Sequence, residues 1–211
     1  MALTRPRDGD ETGAEGRALK DEGDIYRRLQ ESLDELPVPY PATASGVELR
    51  ILRRLFTPEE AEVALALSAL PETAETIASR LPGSDEDTVE RALDRLVEKG
   101  AIFGGRLMAR EGKKRYSRAP LVIGMYEAQV DRLTKELQED FEQYAREGFA
   151  DAMLRGKTKQ MRTVPVSARF VPDRLVGRYD DARTLSEEGD GPWAARTCVC
   201  RQGHDLLGQP C

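Results

Sequence analysis

The fold is decided by TPEEAEVALALSALPETAETIASRLPGSDEDTVERALDRLVEKGAIFGGRLMAREGKKRYSRAP, residues 57–120. Thr57-Pro58-Glu59-Glu60 has the form of a helix start. A hydroxyl stands at the N-cap, a proline at the first helical position, and a glutamate three residues on closes a capping box. Ala61 to Leu70 is the apolar helix that follows, and Pro71 breaks it. ETAETIASRL (72–81) predicts a second short helix with Ile77, Ala78 and Leu81 as its buried side, and LPGS a turn. Ser84-Asp85-Glu86-Asp87 resembles another capping box. After it Val89, Ala92, Leu93, Leu96 and Val97 fall on one apolar stripe. Gly100 ends that helix as a left-handed cap. Residues 101–120 alternate in short apolar segments around Gly104-Gly105 and Glu111-Gly112, the pattern of a small hairpin. Three helices and a hairpin in this order predict a winged helix-turn-helix.

Working outward, residues 1–20 are polar, rich in glycine and charge and without periodicity, which predicts a disordered leader. Ile25, Leu29, Leu33 and Leu36 recur at helical spacing, and Pro37, Pro39 and Pro41 end that helix. Residues 21–120 are therefore expected to form a winged-helix-like domain with an N-terminal helix. Beyond Pro120, Val130, Leu133, Leu137, Phe141, Tyr144 and Phe149 mark a helical segment over 121–156, one long helix or two broken near Gly148. Residues 155–178 hold seven Lys or Arg against one Asp, and RTVPVSARFV alternates like a strand. This gives a basic extended segment, then a short helix from Asp180 to Glu188, within 157–197. The basic segment reads as a solvated surface or as a docking strip for an acidic partner. The expected fold class is mainly α with a small β-hairpin: a winged helix-turn-helix, a helical segment and an irregular cysteine-containing tail over 198–211.

Composition narrows the function. The 211 residues carry 33% charged, 39% hydrophobic and 6% aromatic side chains, so modest helical cores are expected. The net charge of −6 argues against a general attraction to nucleic acid or anionic membrane. No apolar run reaches the ~20 residues that a spanning helix needs, and a cytoplasmic protein is expected. No Walker-type or GxGxxG phosphate loop is present, and the lone histidine lies in the tail, which argues against a Ser/His/Asp set. Glu59/Glu60 and Asp180/Asp181 sit at helix starts, where they complement the dipole. Tyr26, Tyr116, Tyr126 and Tyr144 read as packing residues.

In a DNA-binding winged helix the third helix enters the major groove and should be basic. Here residues 84–100 carry six acids against Arg91, Arg95 and Lys99. The wing is the opposite: Arg106, Arg110, Lys113, Lys114, Arg115 and Arg118 face only Glu111. Those wing residues are either a solvated basic hairpin or contacts to phosphate, and winged domains also serve as protein-contact modules.

All three cysteines and the only histidine fall in the last fourteen residues, within TCVCRQGHDLLGQPC (197–211). An odd cysteine count clustered at one end points to metal rather than a disulfide framework. Thiolates are the soft ligands of zinc, copper(I) and iron–sulfur clusters. Cys198 and Cys200 can direct two sulfurs to one metal, with Arg201 favouring both thiolates. Gly203 and Gly208 let the chain turn back so that Cys211 reaches the same centre, and His204 is the candidate fourth ligand of a Cys3His set. The alternative is three unligated thiols in an exposed tail.

Residues 24–65, 119–134, 155–166 and 198–211 resemble a family of anaerobe-associated 4Fe–4S ferredoxin-type proteins. The specific pieces are PATASGVELRILRRLFTPEEA at 41–61 and CVCRQ at 198–202. The resemblance implies a winged-helix-like region ahead of an iron–sulfur part, and electron transfer to a redox partner protein. The ferredoxin repeats of the C-x2-C-x2-C-x3-C kind are absent. Three thiolates are one short of an ordinary cluster, so a chain continuing past Cys211 is expected. The rival expectations are a winged-helix transcriptional regulator that senses metal or redox state through the tail, and an interaction domain whose tail binds structural zinc.

Overall fold

The computed structural model describes residues 25–155, 179–189 and 196–210. The expected leader, the basic segment after Arg155 and Cys211 lie outside the described residues. The chain is mainly helical with one antiparallel hairpin, as its patterning predicts. It is helical over 25–34 (α1), then α2 (Val47–Leu55), α3 (Pro58–Leu65), α4 (Ala74–Ala78) and α5 (Glu86–Glu98). The hairpin follows as β1 (Ile102–Arg110) and β2 (Lys113–Arg118). Beyond it lie α6 (Lys135–Tyr144), α7 (Ala150–Arg155), α8 (Tyr179–Glu188) and α9 (Val199–Leu206).

The caps act as their chemistry dictates. Thr57 and Glu60 form a complete capping box at α3. At α5 the cap is Asp85, whose carboxylate accepts from the Thr88 N–H at 2.9 Å. The expected start at Ser84 is thus moved by one residue, a carboxylate accepting more strongly than a hydroxyl. Gly100 ends α5 at φ 71°, and the bonds from Gly100 N to Val97 O and Ala101 N to Leu96 O make a Schellman motif. Glu111 and Gly112, both at positive φ, turn the hairpin between the paired residues Arg110 and Lys113. Glu72, ahead of α4, exchanges both backbone bonds with Tyr116, so β2 is paired on both of its edges.

One core joins α1 through α6, the hairpin and α9. Ile51, Leu52, Leu67, Ile77, Leu93, Leu96, Tyr116 and Met125 are buried within it. The α5 stripe buries Val89, Ala92, Leu93 and Leu96. Leu29 and Leu33 of α1 are buried as their spacing predicts, and Leu36 is buried just past the helix end. Tyr26, Tyr116 and Tyr144 are core residues, and Tyr126 is half-buried.

Four expectations need correction. Helix α2 has no counterpart in the sequence reading. Helix α3 stops at Leu65 instead of Leu70, because Ser68 and Leu70 close a local turn through the Ser68 hydroxyl. The 121–156 segment is not one helix from its start. Val122 and Ile123 are extended, Gly124 is non-helical, and regular helix begins only at Lys135 behind the Thr134 cap. At Gly148 the chain passes through a π-turn, Ala145–Phe149, into α7 without breaking. Last, the tail is not irregular: Val199–Leu206 is a helix. The expected helix at 180–188 is present as α8.

Candidate functional site

Helix α9 carries the cysteines and is seated on the body of the protein through α6. Val199 is buried, and Gly203 lies against the side-chain amide of Gln138, so close that an added Cβ would fall 2.4 Å from its Oε1. Gly203 is therefore a contact residue inside a helix, where a turn was expected. Gln138 is itself held, its Oε1 accepting from the Tyr126 hydroxyl at 3.1 Å. Gln202 accepts from the Asp131 N–H at 2.9 Å and ties α9 to the loop before α6. Gly208, at φ 67°, is the turn that the sequence predicts: Gly208 N bonds Asp205 O and Gln209 N bonds His204 O, a second Schellman motif.

Cys198 is the N-cap of α9 and Cys200 sits in its first turn. The backbone N–H groups of Arg201 and Cys200 face the Cys198 sulfur and hold that thiol below its ordinary range, although no full side-chain capping bond closes. A hydrogen bond with the Cys200 side chain and the Arg201 charge act in the same direction. Arg201 does not lower both thiols as expected, because Cys200 is shifted upward. It is exposed by area, yet the desolvating wall beside it raises its pKa, and the charge of Cys198 adds to the effect. The neighbouring Tyr126 side chain opposes the shift. Burial first, then Cys200, push the Tyr126 phenol up to about 12.

The wall is a cavity of about 200 Å³ between α6, α9 and the 121–126 segment. Leu121, Tyr126, Phe141, Tyr144 and Phe149 line it, with Cys200 and His204 on its α9 side. Tyr126 meets Phe141 edge-on at 4.7 Å. His204 Nδ1 is 3.0 Å from the Pro210 carbonyl. A carbonyl only accepts, so Nδ1 carries the proton and Nε2 of the neutral ring is the atom left for a ligand role. Among the described residues no three His, Cys, Asp or Glu side chains gather into a metal-holding group.

The two thiols should separate under alkylation. Iodoacetamide labelling followed by peptide mass spectrometry should show Cys198 reacting with a pH midpoint below the usual ~8.5 and Cys200 above it. Equal midpoints would contradict the helix-terminus effect at Cys198.

The basic residues of the hairpin behave differently from one another. Lys114 is folded onto α5, at 2.6 Å from Asp94 and 3.1 Å from Glu90. Lys113 pairs with Glu75 at 3.6 Å, and Arg118 donates to the Ser32 carbonyl at 2.9 Å. Arg115 reaches the Pro71 carbonyl, while Arg106 and Arg110 stand exposed on β1. Of the acids of α5, Glu90 and Asp94 are thus paired with the hairpin itself.

Sequence reasoning identified the cysteines, took Tyr126 for packing and Gly203 for a turn, and passed over Gln138; these three residues fix the surroundings of the cysteines. Compared with protein-family models, curated proteins and solved structures, the chain has no match. Among the described residues no helix is long and apolar enough to cross a membrane.

Proposed function

We propose that this chain belongs to an iron–sulfur electron-transfer protein, with a winged helix as its partner-docking module and Cys198, Cys200 and Cys211 as thiolate donors. The observation that carries this reading is the pairing of Cys198 and Cys200 at the N-terminus of a helix seated on the folded body. The donor chemistry fits: two soft ligands lie side by side, and one is held toward its thiolate form by backbone N–H groups. Cys211 would supply the third sulfur and His204 Nε2 an imidazole, and the same set suits zinc. A cluster held there would supply one-electron transfer. The chain's own part is to favour the Cys198 thiolate through backbone N–H groups and to shield one side with the Phe141 and Tyr144 wall.

The winged-helix reading is supported by the order of helix α3, the Glu72 bridge, α4, α5 and the hairpin, with Glu72 adding a third partner to the sheet. The regulator alternative would place Arg106, Arg110, Lys113, Lys114 and Arg115 on phosphates. The intramolecular pairs of Lys113 and Lys114 and the acids of α5 favour docking of protein over DNA.

Anaerobic reconstitution with iron and sulfide tests the proposal. It should give a brown protein with broad visible absorption that is lost in Cys198→Ser and in Cys200→Ser. A colourless product retaining stoichiometric zinc would overturn the cluster and leave the structural-zinc reading. Duplex-DNA affinity that is measurable at low salt and falls steeply as salt rises would revive the regulator.

A further inference from the structure

A second surface, remote in sequence from the cysteines, carries chemistry that the folded chain leaves unused. Between Gly105 and Arg110 the register of the hairpin shifts, so that Arg106 to Ala109 lie opposite the single residue Lys114. This bulged stretch, Arg115 and the loop residues Leu70 and Pro71 enclose a groove of about 550 Å³. Its lips are apolar and stand in water, with Leu107 100% and Leu70 74% exposed. Arg115 lines the groove half-buried. Its guanidinium bond to the Pro71 carbonyl is long at 3.4 Å. Arg110 adds a second guanidinium.

Exposed leucines side by side mark a contact surface rather than a solvated one. Guanidinium groups beside an apolar groove are matched by a carboxylate, whose oxygens take charge-assisted bonds. We infer that this groove docks an acidic segment of a partner protein, with an apolar side chain between Leu70 and Leu107 and a carboxylate on the Arg110–Arg115 pair. The inference rests on the docking role assigned above and places it at the wing tip instead of on α5. Leucine lips gain nothing from phosphate, whereas an apolar side chain of a peptide would be buried between them.

The test is fluorescence anisotropy with a short labelled peptide of alternating glutamate and leucine, its glutamine–leucine counterpart, and duplex DNA. The glutamate–leucine peptide should bind the wild-type chain at low salt. Leu107→Asp and Arg110→Glu, both at exposed positions, should each weaken it about tenfold. Arg115→Met should do the same with an unchanged circular dichroism spectrum. No binding of the acidic peptide, equal binding of the glutamine peptide, or tighter binding of the duplex would overturn the inference. Iron–sulfur loading of Leu107→Asp should equal that of the wild type. Peptide binding lost with loading intact condemns the groove alone, and loading lost with peptide binding intact supports the groove while removing the cluster.

Discussion

Gly100→Ala should destabilise the protein by about 2–4 kcal/mol, the sum of a left-handed-backbone cost and an overpacking cost. The site meets both conditions at once. Gly100 sits at φ 71°, where a Cβ is strained, and an ideal Cβ there would lie 2.3 Å from Ala128 Cβ and 3.1 Å from Ala128 O. Ala128 cannot withdraw freely, because its neighbourhood caps α5: Gln129 Nε2 donates to the Lys99 carbonyl at 3.1 Å, and Arg132 donates to the Glu98 carbonyl. These bonds satisfy carbonyls left without helical partners at the end of α5. The substitution therefore strains the helix cap and lifts the connection that leads to α6 and the cysteine helix. Gly83→Ala is the matched control: φ is 79° and nothing lies within 4 Å of the added carbon. It should cost about 1 kcal/mol, the backbone part alone. Urea unfolding of both variants gives the difference, and equal costs would show that the Ala128 contact contributes nothing.

Gly100 was legible in the sequence as a helix cap because that part of its role is local, following an amphipathic stripe with cap residues upstream; its close approach to Ala128 was not. The Thr57–Glu60 box and the Glu111-Gly112 turn were legible for the same local reason. Helix α2 escaped notice although Val47, Ile51, Leu52 and Leu55 have helical spacing. Its N-cap is Gly46, in the left-handed region with no side-chain cap bond, so the usual Ser, Thr, Asp or Asn signal is missing. Its polar face also reads as loop until Asp140 is placed opposite it, where the carboxylate takes Arg50 at 3.0 Å and Arg54 at 2.8 Å. That partner comes from α6, and no local pattern announces it.

The candidate site divides in the same way. Sulfur at 198 and 200 is visible in the sequence, and so is a turn at Gly208. The helix between them was hidden by Gly203, which reads as a turn residue but serves a close approach to Gln138. The wing likewise showed its positive composition, while the pairing of Lys114 with Asp94 and Glu90 needed the hairpin to be laid on α5. Side-chain charge can be counted from sequence; whether it is spent inside the chain cannot.

Arg27→Met should cost about 3 kcal/mol, at the lower end for breaking a buried pair because Arg27 is itself about one-third exposed. Its partner Glu48 has no exposed side-chain surface and receives Arg27 at 3.1 Å and the Thr43 hydroxyl. Without Arg27 the carboxylate keeps one neutral donor inside a shell of Tyr40 and the α2 core, and desolvation is no longer offset by the opposite charge. The pair is also the centre of a wider mesh. Arg27 donates to Gln30, Gln30 donates to the Tyr40 carbonyl, and the Tyr40 hydroxyl donates to the Glu48 carbonyl at 2.9 Å. Those bonds fix α1 and the proline-rich 37–41 stretch onto α2, and Tyr40 packs on Tyr144 of α6 at 4.9 Å. The decisive arm is the double variant Arg27→Met/Glu48→Leu, which removes both charges and leaves no carboxylate to desolvate. It should be clearly more stable than Arg27→Met alone, since an apolar pair of similar volume often matches a buried ion pair. A double variant no more stable than the single would mean that Arg27 acts through its bonds to Gln30 and not through the charge of Glu48.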